Sequence, residues 1–410
     1  MIDINFIRKN PEVVTKGAID KGIALDVNRI LTLDDEYRNL QAKVQGLREQ
    51  RNIAAKERNV EKGRELKAEL EAEESKLKSV EEERNKLLLE IPNLPKPDVK
   101  LGENESENEI ITKVGDLPKF DFTPRDHLEI GELLDIIDVK RAAKVSGTRF
   151  YYLKNEAILL EFALKQLAFE TLIKEGFIPV LPPVMVKEEI MRALGYMEQG
   201  GEEDMYKLEK DGLVLVGTAE HSIVSMHKDE ILDVKDLPKR YVGFSTSFRR
   251  EAGSYGKDTR GIMRAHQFDK VEMVSFVKQG EDDKEHEYML SLEQRFLEML
   301  KLPYQISKMC TGDLGFPVAR KYDIEVWIPS EDKYRELTST STTGDFQARR
   351  LNIKYREEQD SKYVNILNGT AFSTRPIVAI LENYQEEDGS VLVPQVLRKY
   401  TGFDKISPKK

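Results

Sequence analysis

The feature that most constrains this chain is a long stripe of apolar residues near its N-terminus, spaced alternately by four and three positions. That spacing places every member of the stripe on one side of an α-helix, as in a coiled coil. Most residues off the stripe are Lys, Arg, Glu, Gln or Asp, so the rest of the helix surface suits water. The first run of the stripe consists of Leu33, Tyr37, Leu40, Val44, Leu47, Arg51 and Ala54.

The stripe is interrupted once and then resumes with the same spacing. The interruption is the polar segment ERNVEKGREL, which contains Gly63. Two matched helices with a short break predict an antiparallel hairpin over about residues 33–91, and each helix of about 25 residues would be roughly 35–40 Å long. The pattern fits both a hairpin packed on its own domain and a projecting coiled-coil arm that contacts a partner. The second run consists of Leu66, Leu70, Glu73, Leu77, Val80, Arg84, Leu87 and Ile91.

Three prolines end the helical region in the segment IPNLPKPDVKLG. A helix cannot continue through this segment, because proline lacks the amide donor and clashes with the preceding turn. The polar stretch GENESENE that follows is typical of an exposed loop. The predicted organisation is an N-terminal helical domain (1–97), a linker (98–115) and a larger domain (116–410).

The larger domain is predicted to have an α+β fold with an antiparallel sheet. The segment EAILLEFALKQLAFETLIKEG has the length and closing glycine of a helix that ends at Gly176. Several β-branched and aromatic segments are joined by short loops without helices between them, which favours antiparallel pairing. The predicted strands lie in FIPVLPPVMV, GLVLVGTAE, RYVGFSTSFRRE, QFDKVEMVSFV, YDIEVWIPS, KYRELTSTST and YVNILNGTAF.

Composition excludes several classes of protein. The single cysteine, Cys310, rules out an intramolecular disulfide framework and a zinc site built on several thiolates, so no zinc is expected. No run of about 18 apolar residues is present, and the N-terminus lacks the pattern of a secretory signal. We therefore expect a cytoplasmic protein without a membrane span. The net charge of −10 still leaves room for local basic patches that bind RNA.

One basic stretch, FRREAGSYGKDTRGIMRAHQFDKVEMV, predicts a strand, a glycine-rich loop and a returning strand. It is not a P-loop, because Glu251 and Asp258 replace the first glycine and the final hydroxyl of that motif. Strand alternation would put Arg249 and Glu251 on one face, and Phe268 on a face with Lys270 and Glu272. Arginines and an aromatic ring so placed could bind a phosphate and stack a base. A structural β-hairpin with a solvated basic loop is the alternative.

Two further segments add candidate ligands. YRELTSTSTTG places Glu336 and the hydroxyl of Ser339 on a strand, where they could share a hard cation such as Mg²⁺. ILNGTAFSTRP is predicted to end a strand at an Asn-Gly turn and to place Arg375 before a helix. Taken singly, each segment also fits a purely structural role.

Taken together, these motifs resemble seryl-tRNA synthetases of the bacterial type along essentially the whole chain. The resemblance implies the class II synthetase fold, an antiparallel sheet flanked by helices, together with a coiled-coil arm and a homodimer. GFIPVLPPVMV resembles the dimer-forming motif of that class. The motifs, in chain order, are DINFIRKNPEVV, LQAKVQGLREQRN, IPNLPKPDV, RAAKVSGTRFYYL, VGTAE, FRREAGSYGKDTRG, HQFDKVEM, DFQARR and ENYQEEDGSVLVPQVLRKY.

The resemblance also implies a role for each matching residue. Three arginines would be catalytic: Arg249 would bind the serine carboxylate and the α-phosphate of ATP, Arg264 would bind the γ-phosphate, and Arg375 would lie along the phosphates from the other side. Glu251 would contact adenine, on which Phe268 would stack, and Glu336 with Ser339 would hold Mg²⁺. The implied ATP-binding residues are Arg249, Arg250, Glu251, Arg264, Ala265, Phe268, Glu336, Leu337, Thr338, Ser339 and Arg375. The implied serine-binding residues are Thr218, Ala219, Glu220, Arg249, Glu272, Asn368 and Thr370.

The function implied by the resemblance is a serine–tRNA ligase that uses ATP and L-serine. It would charge tRNA(Ser), and tRNA(Sec) where that tRNA is present. A catalytically inactive paralogue would be expected to lose residues such as Arg249 or Glu336, and a ligase that loads carrier proteins would lack the N-terminal hairpin. The chain departs from the usual motif at Thr338, Thr340 and Thr342, where the family more often has Ser, Cys and Asn.

Overall fold

The computed structural model describes residues 1–198, 200–252 and 261–409. The chain forms two compact units, Met1–Leu94 and Pro95–Lys410. The tip of the basic loop, with Lys257 and Arg260, lies outside the described residues, so the structure assigns these two side chains no role.

The first unit is entirely helical. Its elements are α1 (Ile4–Lys9), α2 (Pro11–Asp20), α3 (Val27–Lys56) and α4 (Val60–Leu89). The antiparallel helical hairpin predicted from the stripe is confirmed, because α3 and α4 pair along their length. Each has 30 residues, and is therefore about 45 Å long.

The hairpin turn is shorter than the sequence suggested. The helices are separated only by residues 57–59, and Gly63 lies inside the first turns of α4. The Asn59 side chain accepts a hydrogen bond from the backbone N–H of Lys62 and so caps α4 early. An N-cap of this kind stabilises a helix start enough to keep a nearby glycine helical.

The stripe forms the seam between the two helices, with one exception. Leu33, Val44, Leu47, Ala54, Leu66, Leu70 and Glu73 are buried, whereas Arg51 is exposed. Glu73 is buried in an otherwise apolar seam because Lys43 and Lys76 approach its carboxylate at 3.2 and 3.0 Å. The stripe was therefore predicted correctly as the contact surface between the two helices, although Arg51 does not belong to it.

A buried carboxylate at the base of the hairpin was not predicted. Asp34 is 0% exposed, and its two oxygens accept from Arg8 Nε at 2.6 Å and Arg84 Nε at 2.9 Å. These contacts join α1, α3 and α4. A fully buried carboxylate is tolerated only with such partners.

The second unit contains all the strands. They are β1 (Glu109–Val114), β2 (Ile137–Asp138), β3 (Tyr152–Leu153), β4 (Ile178–Val180), β5 (Met185–Lys187), β6 (Lys207–Leu208), β7 (Leu213–Leu215), β8 (Ile231–Asp233), β9 (Lys239–Phe248), β10 (Gln267–Val277), β11 (Tyr304–Lys308), β12 (Arg320–Ile328), β13 (Lys333–Gly344), β14 (Lys354–Glu357), β15 (Asp360–Tyr363), β16 (Asn365–Ser373), β17 (Val391–Leu392) and β18 (Lys405–Ile406).

The helices of this unit lie between and around the strands. They are α5 (His127–Leu133), α6 (Val139–Ser146), α7 (Glu156–Lys174), α8 (Glu188–Leu194), α9 (Glu220–Ser225), α10 (Asp282–Leu300), α11 (Phe346–Leu351), α12 (Arg375–Asn383) and α13 (Arg398–Thr401). The predicted helix that closes at a glycine is α7, which is followed by Gly176 with φ +86°.

The main sheet has eight strands in the order β1-β11-β12-β13-β16-β10-β9-β4. Neighbouring strands are antiparallel throughout, except that β4 runs parallel to β9 at one edge. The predicted antiparallel α+β fold is therefore confirmed. Smaller sheets are formed by β5-β7-β6 and β15-β14-β8, and by the pairs β2-β3 and β17-β18.

The two faces of the main sheet differ, as β10 illustrates. Val271 and Met273 enter a large apolar core with side chains of α7, α10 and α12. Val274 and Phe276 point to the opposite face, into a second core with α9 and α11. Phe268, on that same face, lies beyond the second core and borders a cavity. Because side chains alternate strictly along the strand, one face of the sheet is apolar. The other face is apolar at one end and borders the cavity at its other end.

Two sequence expectations about strands differ from the structure. Residues 109–114, assigned to the linker, form edge strand β1, which fits their β-branched content. Asn368 and Gly369, expected in a turn, lie inside β16. Gly369 is needed there for space, since a Cβ at this position would lie 2.9 Å from Glu293 Oε1 and 3.1 Å from Thr340 Oγ1. None of the helices in the described ranges is long and apolar enough to cross a membrane.

The buried carboxylate in the first unit yields a test of what holds the hairpin base. We expect Asp34→Ala to destabilise the first unit by roughly 2–3 kcal/mol, below the value for a fully buried pair because Arg8 and Arg84 keep some contact with water. Amide hydrogen exchange of the full-length protein should then accelerate in peptides of α1, α3 and α4. The matched control is Asp35→Ala, whose side chain is 64% exposed. Equal exchange in the two variants would contradict the proposed role of Asp34.

Candidate active site

A cavity of about 500 Å³ opens on the polar face of the main sheet, beside β10, β12, β13 and β16. Residues from four segments singled out in the sequence converge on it: VGTAE, the basic stretch, YRELTSTSTTG and ILNGTAFSTRP. Those that line it are Thr218, Glu220, Arg249, Glu251, Arg264, Ala265, Phe268, Glu336, Leu337, Ser339, Asn368, Thr370 and Arg375.

Four of the residues implied by the family resemblance do not line this cavity. Ala219 is buried in the second core at the start of α9. Arg250 is exposed and lies over the ring of Tyr206 at 5.7 Å. Thr338 points to the opposite face, where its hydroxyl donates to Glu293 at 3.0 Å. Glu272 is on the cavity face of β10 but is covered, with 1% exposure.

A β-bulge in β13 brings Glu336 and Ser339 to the same face. In the pairing with β12, Glu336 is opposite Glu325 and Thr338 is opposite the adjacent Ile324, so β13 has one extra residue there. Three positions along a regular strand would put these two side chains on opposite faces, and the extra residue restores them to one face. The two oxygen donors therefore both line the cavity.

Arg249 is held at the cavity wall by a backbone carbonyl and an aromatic ring. Its Nε and Nη2 donate to the carbonyl of Gly217 at 3.3 and 3.2 Å. The guanidinium carbon lies 5.4 Å from the centre of the Phe268 ring, which is within the range of a cation–π contact. Arg249 is therefore preorganised with its charge towards the cavity.

Arg264 and Glu251 form an ion pair across the two sides of the basic loop. Arg264 Nη1 lies 2.8 Å from Glu251 Oε2. The expectation that one strand carries both Arg249 and Glu251 is wrong, because β9 ends at Phe248 and Glu251 has a left-handed φ of +53°. Both side chains nevertheless reach the cavity through this turn of the backbone.

Arg375 starts α12 and reaches back to the strand of Glu336. Its Nη1 lies 3.1 Å from Glu336 Oε2 and donates to the Glu336 carbonyl at 3.0 Å. Its Nε donates to the carbonyl of Met263 at 3.2 Å. The side chain therefore ties the returning half of the basic loop to β13.

A set of buried carboxyl groups lies at one end of the cavity. Glu220 is 3% exposed, and it accepts from the hydroxyl of Tyr196 at 3.0 Å and from Gln347 Nε2 at 3.1 Å. Burial raises the pKa of Glu220. Burial also raises the pKa of Glu272 to about 7, against the opposing effect of Lys270, whose Nζ lies 2.6 Å from the carboxylate.

The sequence did not assign roles to several residues that build this site. Tyr196 and Gln347 orient Glu220, and Lys321 brings a further cation to the cavity beside Asp323, at 2.9 Å. Gln347 belongs to the motif DFQARR, so a signal for it was present. Tyr196 and Lys321 carried no local pattern that could have identified them.

The arrangement suits an anionic ligand that also carries an ammonium group. The cavity combines arginine guanidinium groups with carboxylates, and arginine binds phosphate through charge-assisted hydrogen bonds. The nearby His221 is neutral, because burial lowers its pKa to about 3. Within the described residues, His, Cys, Asp and Glu side chains do not gather in threes that could hold a metal ion.

Comparison with known protein families assigns both units. The family model for the seryl-tRNA synthetase N-terminal domain matches residues 1–95. The model for the class II tRNA synthetase core domain (G, H, P, S and T) matches residues 206–384. The second match contains all of the cavity residues named above that lie on β10, β13 and β16.

Full-length relatives give the same assignment. The serine–tRNA ligases of Acidothermus cellulolyticus and Dictyoglomus turgidum are 45% and 42% identical, with complete coverage of both chains. The crystal structure of seryl-tRNA synthetase from Pyrococcus horikoshii complexed with ATP is 40% identical and superposes with a TM-score of 0.94, covering 100% of each chain. Sequence, fold and cavity agree, and the chain belongs to the seryl-tRNA synthetase family.

Proposed function

We propose that the cavity on the polar face of the sheet is where this serine–tRNA ligase joins serine to AMP before serine passes to tRNA. The observation that supports this most directly is that Arg249, Arg264 and Arg375 converge on one cavity with the carboxylates of Glu220 and Glu336. The arginines suit the phosphates of ATP, and the carboxylates suit the ammonium group of an amino acid and a hard cation.

The first step needs positioning and charge neutralisation more than proton transfer. A carboxylate oxygen of serine bonds to the α-phosphorus, and the bond from that phosphorus to the bridging oxygen breaks, so pyrophosphate leaves with the electron pair. Serine's carboxylate is already anionic, so no general base is required. Arg249 neutralises charge on the carboxylate and the α-phosphate, and Arg264 and Arg375 do so on the other phosphates.

Adenine would occupy the part of the cavity next to Phe268. The ring of Phe268 lines the cavity and already stacks with the guanidinium of Arg249. Glu251 lies within reach at the start of the loop, where its carboxylate is paired with Arg264. Its backbone carbonyl accepts from Arg149 at 3.3 Å, which holds the turn in place.

Serine would be recognised at the carboxylate end of the cavity. Thr218 and Glu220 provide oxygen acceptors for the ammonium group. Glu272, Asn368 and Thr370 would surround the side-chain hydroxyl, and Glu272 and Thr370 are directly opposite each other on β10 and β16. Alanine would give these polar groups no hydroxyl to bond, and a site built to hydrogen-bond a hydroxyl rejects the analogue that lacks it.

Glu336 and Ser339 fit a magnesium ion that accompanies ATP. Their oxygens share one face because of the bulge, and the Glu336 side chain is 42% exposed even while paired with Arg375. Mg²⁺ is commonly held by one or two protein oxygens together with phosphates and water. When bound, the ion would screen phosphate charge in the transition state.

The N-terminal hairpin would bind tRNA in the second step. In that step a hydroxyl of the 3′-terminal ribose attacks the carbonyl carbon of seryl-adenylate, and AMP leaves. Two 30-residue helices with mostly charged outer faces provide a long surface for RNA. The substrates would be tRNA(Ser) and, where present, tRNA(Sec).

The proposal includes a homodimer in the cytoplasm. Leu159 and Phe162 on α7 are 46% and 56% exposed, and Ile178 on edge strand β4 is 46% exposed. Apolar side chains grouped near a free sheet edge are typical of a surface that a second copy covers. The cytoplasmic location rests on the family resemblance.

Substitution of Arg249 tests the adenylation site. Arg249→Ala should lower the rate of serine-dependent exchange of labelled pyrophosphate into ATP by about 10²–10³-fold, because it removes a charged donor from the transferring group. Arg356→Ala, at an exposed position on β14, is the matched control and should exchange normally. Thermal unfolding should show that both variants are folded. Retention of near-normal exchange by Arg249→Ala would exclude this site.

Shortening the hairpin separates the two steps. In the observed register Tyr37 lies beside Glu81 and Asp34 beside Arg84. Replacement of residues 41–77 by a short Gly/Ser linker should therefore leave the base of the hairpin paired. Pyrophosphate exchange should stay within about two-fold of wild type, whereas charging of tRNA(Ser) should fall by at least about 100-fold, since tRNA contacts are lost. Full charging by the shortened protein would show that the hairpin has only a structural role.

A further inference from the structure

The segment ENYQ (residues 382–385), at the C-terminal end of α12, has no part in the site described above. Two of its side chains hold the chain at the start of α5. Gln385 Oε1 accepts from the backbone N–H of Arg125 at 2.8 Å, and Gln385 Nε2 donates to the Arg125 carbonyl at 3.0 Å. Glu382, which is 0% exposed, binds the residue that begins α5.

Glu382 fixes the position of His127, and the two contacts of the ring define its tautomer. Its Oε1 accepts from the backbone N–H of His127 at 3.0 Å and lies 2.9 Å from the ring Nδ1. Its Oε2 accepts from the backbone N–H of Ser330 at 3.1 Å. The backbone N–H of Ile262 donates to Nε2, so Nε2 is the accepting nitrogen and the ring proton is on Nδ1, which faces Glu382.

The accepting nitrogen of His127 faces the returning half of the basic loop. Nε2 accepts from the backbone N–H of Ile262 at 3.4 Å. The ring also closes the space at Gly261, where a Cβ would lie 2.4 Å from Nε2 and where φ is +95°. His127 is only 7% exposed, so this contact is enclosed.

This contact lies two residues before Arg264. Ile262 and Met263 are 2% and 7% exposed, and the Met263 carbonyl accepts from Arg375 at 3.2 Å. The loop backbone is thus held from both ends of α12: directly by Arg375 at its start, and through His127 by Glu382 near its end. Arg264 extends from this fixed backbone to Glu251.

We propose that His127, oriented by Glu382, is a positioning residue for ATP binding that sets the backbone at Ile262 and thereby aims Arg264 at the phosphates. It does not touch ATP itself. Its ring is oriented by the carboxylate at Nδ1 and accepts the backbone hydrogen bond at Nε2. The inference rests on the phosphate-binding role of Arg264 in the proposed function.

Two independent substitutions should produce the same kinetic change. His127→Gln removes the ring, and Gly261→Ala forces the backbone away from it. In pyrophosphate exchange, each should raise KM for ATP by about ten-fold, as expected when one orienting hydrogen bond is lost, while KM for serine stays within about two-fold. The matched control is His227→Gln, which removes a buried imidazole held by Glu230 and Tyr241 away from the cavity. This control should change neither constant.

A double variant separates positioning from general destabilisation. Arg264→Lys should itself raise KM for ATP, and adding His127→Gln to it should change KM by less than about two-fold, because the histidine acts through the arginine. The proposal is overturned if the increases in KM for ATP caused by His127→Gln and Arg264→Lys multiply in the double variant. It is also overturned if His127→Gln and Gly261→Ala raise KM for serine together with KM for ATP. If Arg264→Lys leaves KM for ATP unchanged, the role assigned to Arg264 in the proposed function fails first. If His127→Gln does not fold, the same comparison is made with Gly261→Ala, as a single variant and combined with Arg264→Lys.

Discussion

Arginines gathered in a cavity of about 500 Å³ need partners in the absence of substrate, and the structure provides a partner for each. Arg249 binds the carbonyl of Gly217, Arg264 binds Glu251, and Arg375 binds Glu336. These contacts keep the guanidinium groups close to where phosphates would bind. In the proposed function, a phosphate would replace the carbonyl or carboxylate partner of each arginine, which would require little rearrangement of the site. Preorganised charge of this kind is the main source of catalysis in phosphoryl and adenylyl transfer.

The main sheet makes such a site possible because its two faces differ. On β10 and β16, one set of alternating side chains enters the large apolar core, and the other set includes Glu272, Asn368 and Thr370. The bulge at Leu337 extends the polar face along β13 and adds Glu336 and Ser339 to it. Helix α12 then links the cavity to residues outside it, since Arg375 starts the helix and Glu382 lies near its end. A change in the packing of this one helix would therefore affect two separate supports of the basic loop.

Much of this architecture could be predicted from the sequence where a regular pattern repeats. The seam between α3 and α4 follows from spacing alone, and the antiparallel sheet follows from strands without helices between them. The family motifs also brought together residues that converge in space. Contacts between distant segments could not be predicted, because no local pattern marks them: Asp34 between Arg8 and Arg84 is one case, and His127 between Glu382 and Ile262 is another. The Asn-Gly pair at 368 was misjudged as a turn because its glycine serves packing against Glu293, which only the tertiary structure reveals.

The central claim is that one cavity binds ATP by its arginines and serine by its carboxylates. A crystal structure of the protein with a non-hydrolysable analogue of seryl-adenylate tests it most directly. We expect the base on the ring of Phe268, the group that replaces the phosphate on Arg249, and the ammonium group on Thr218 and Glu220. An analogue bound outside this cavity would contradict the account. So would an analogue that makes no contact with Arg249 and leaves that side chain bonded to the carbonyl of Gly217.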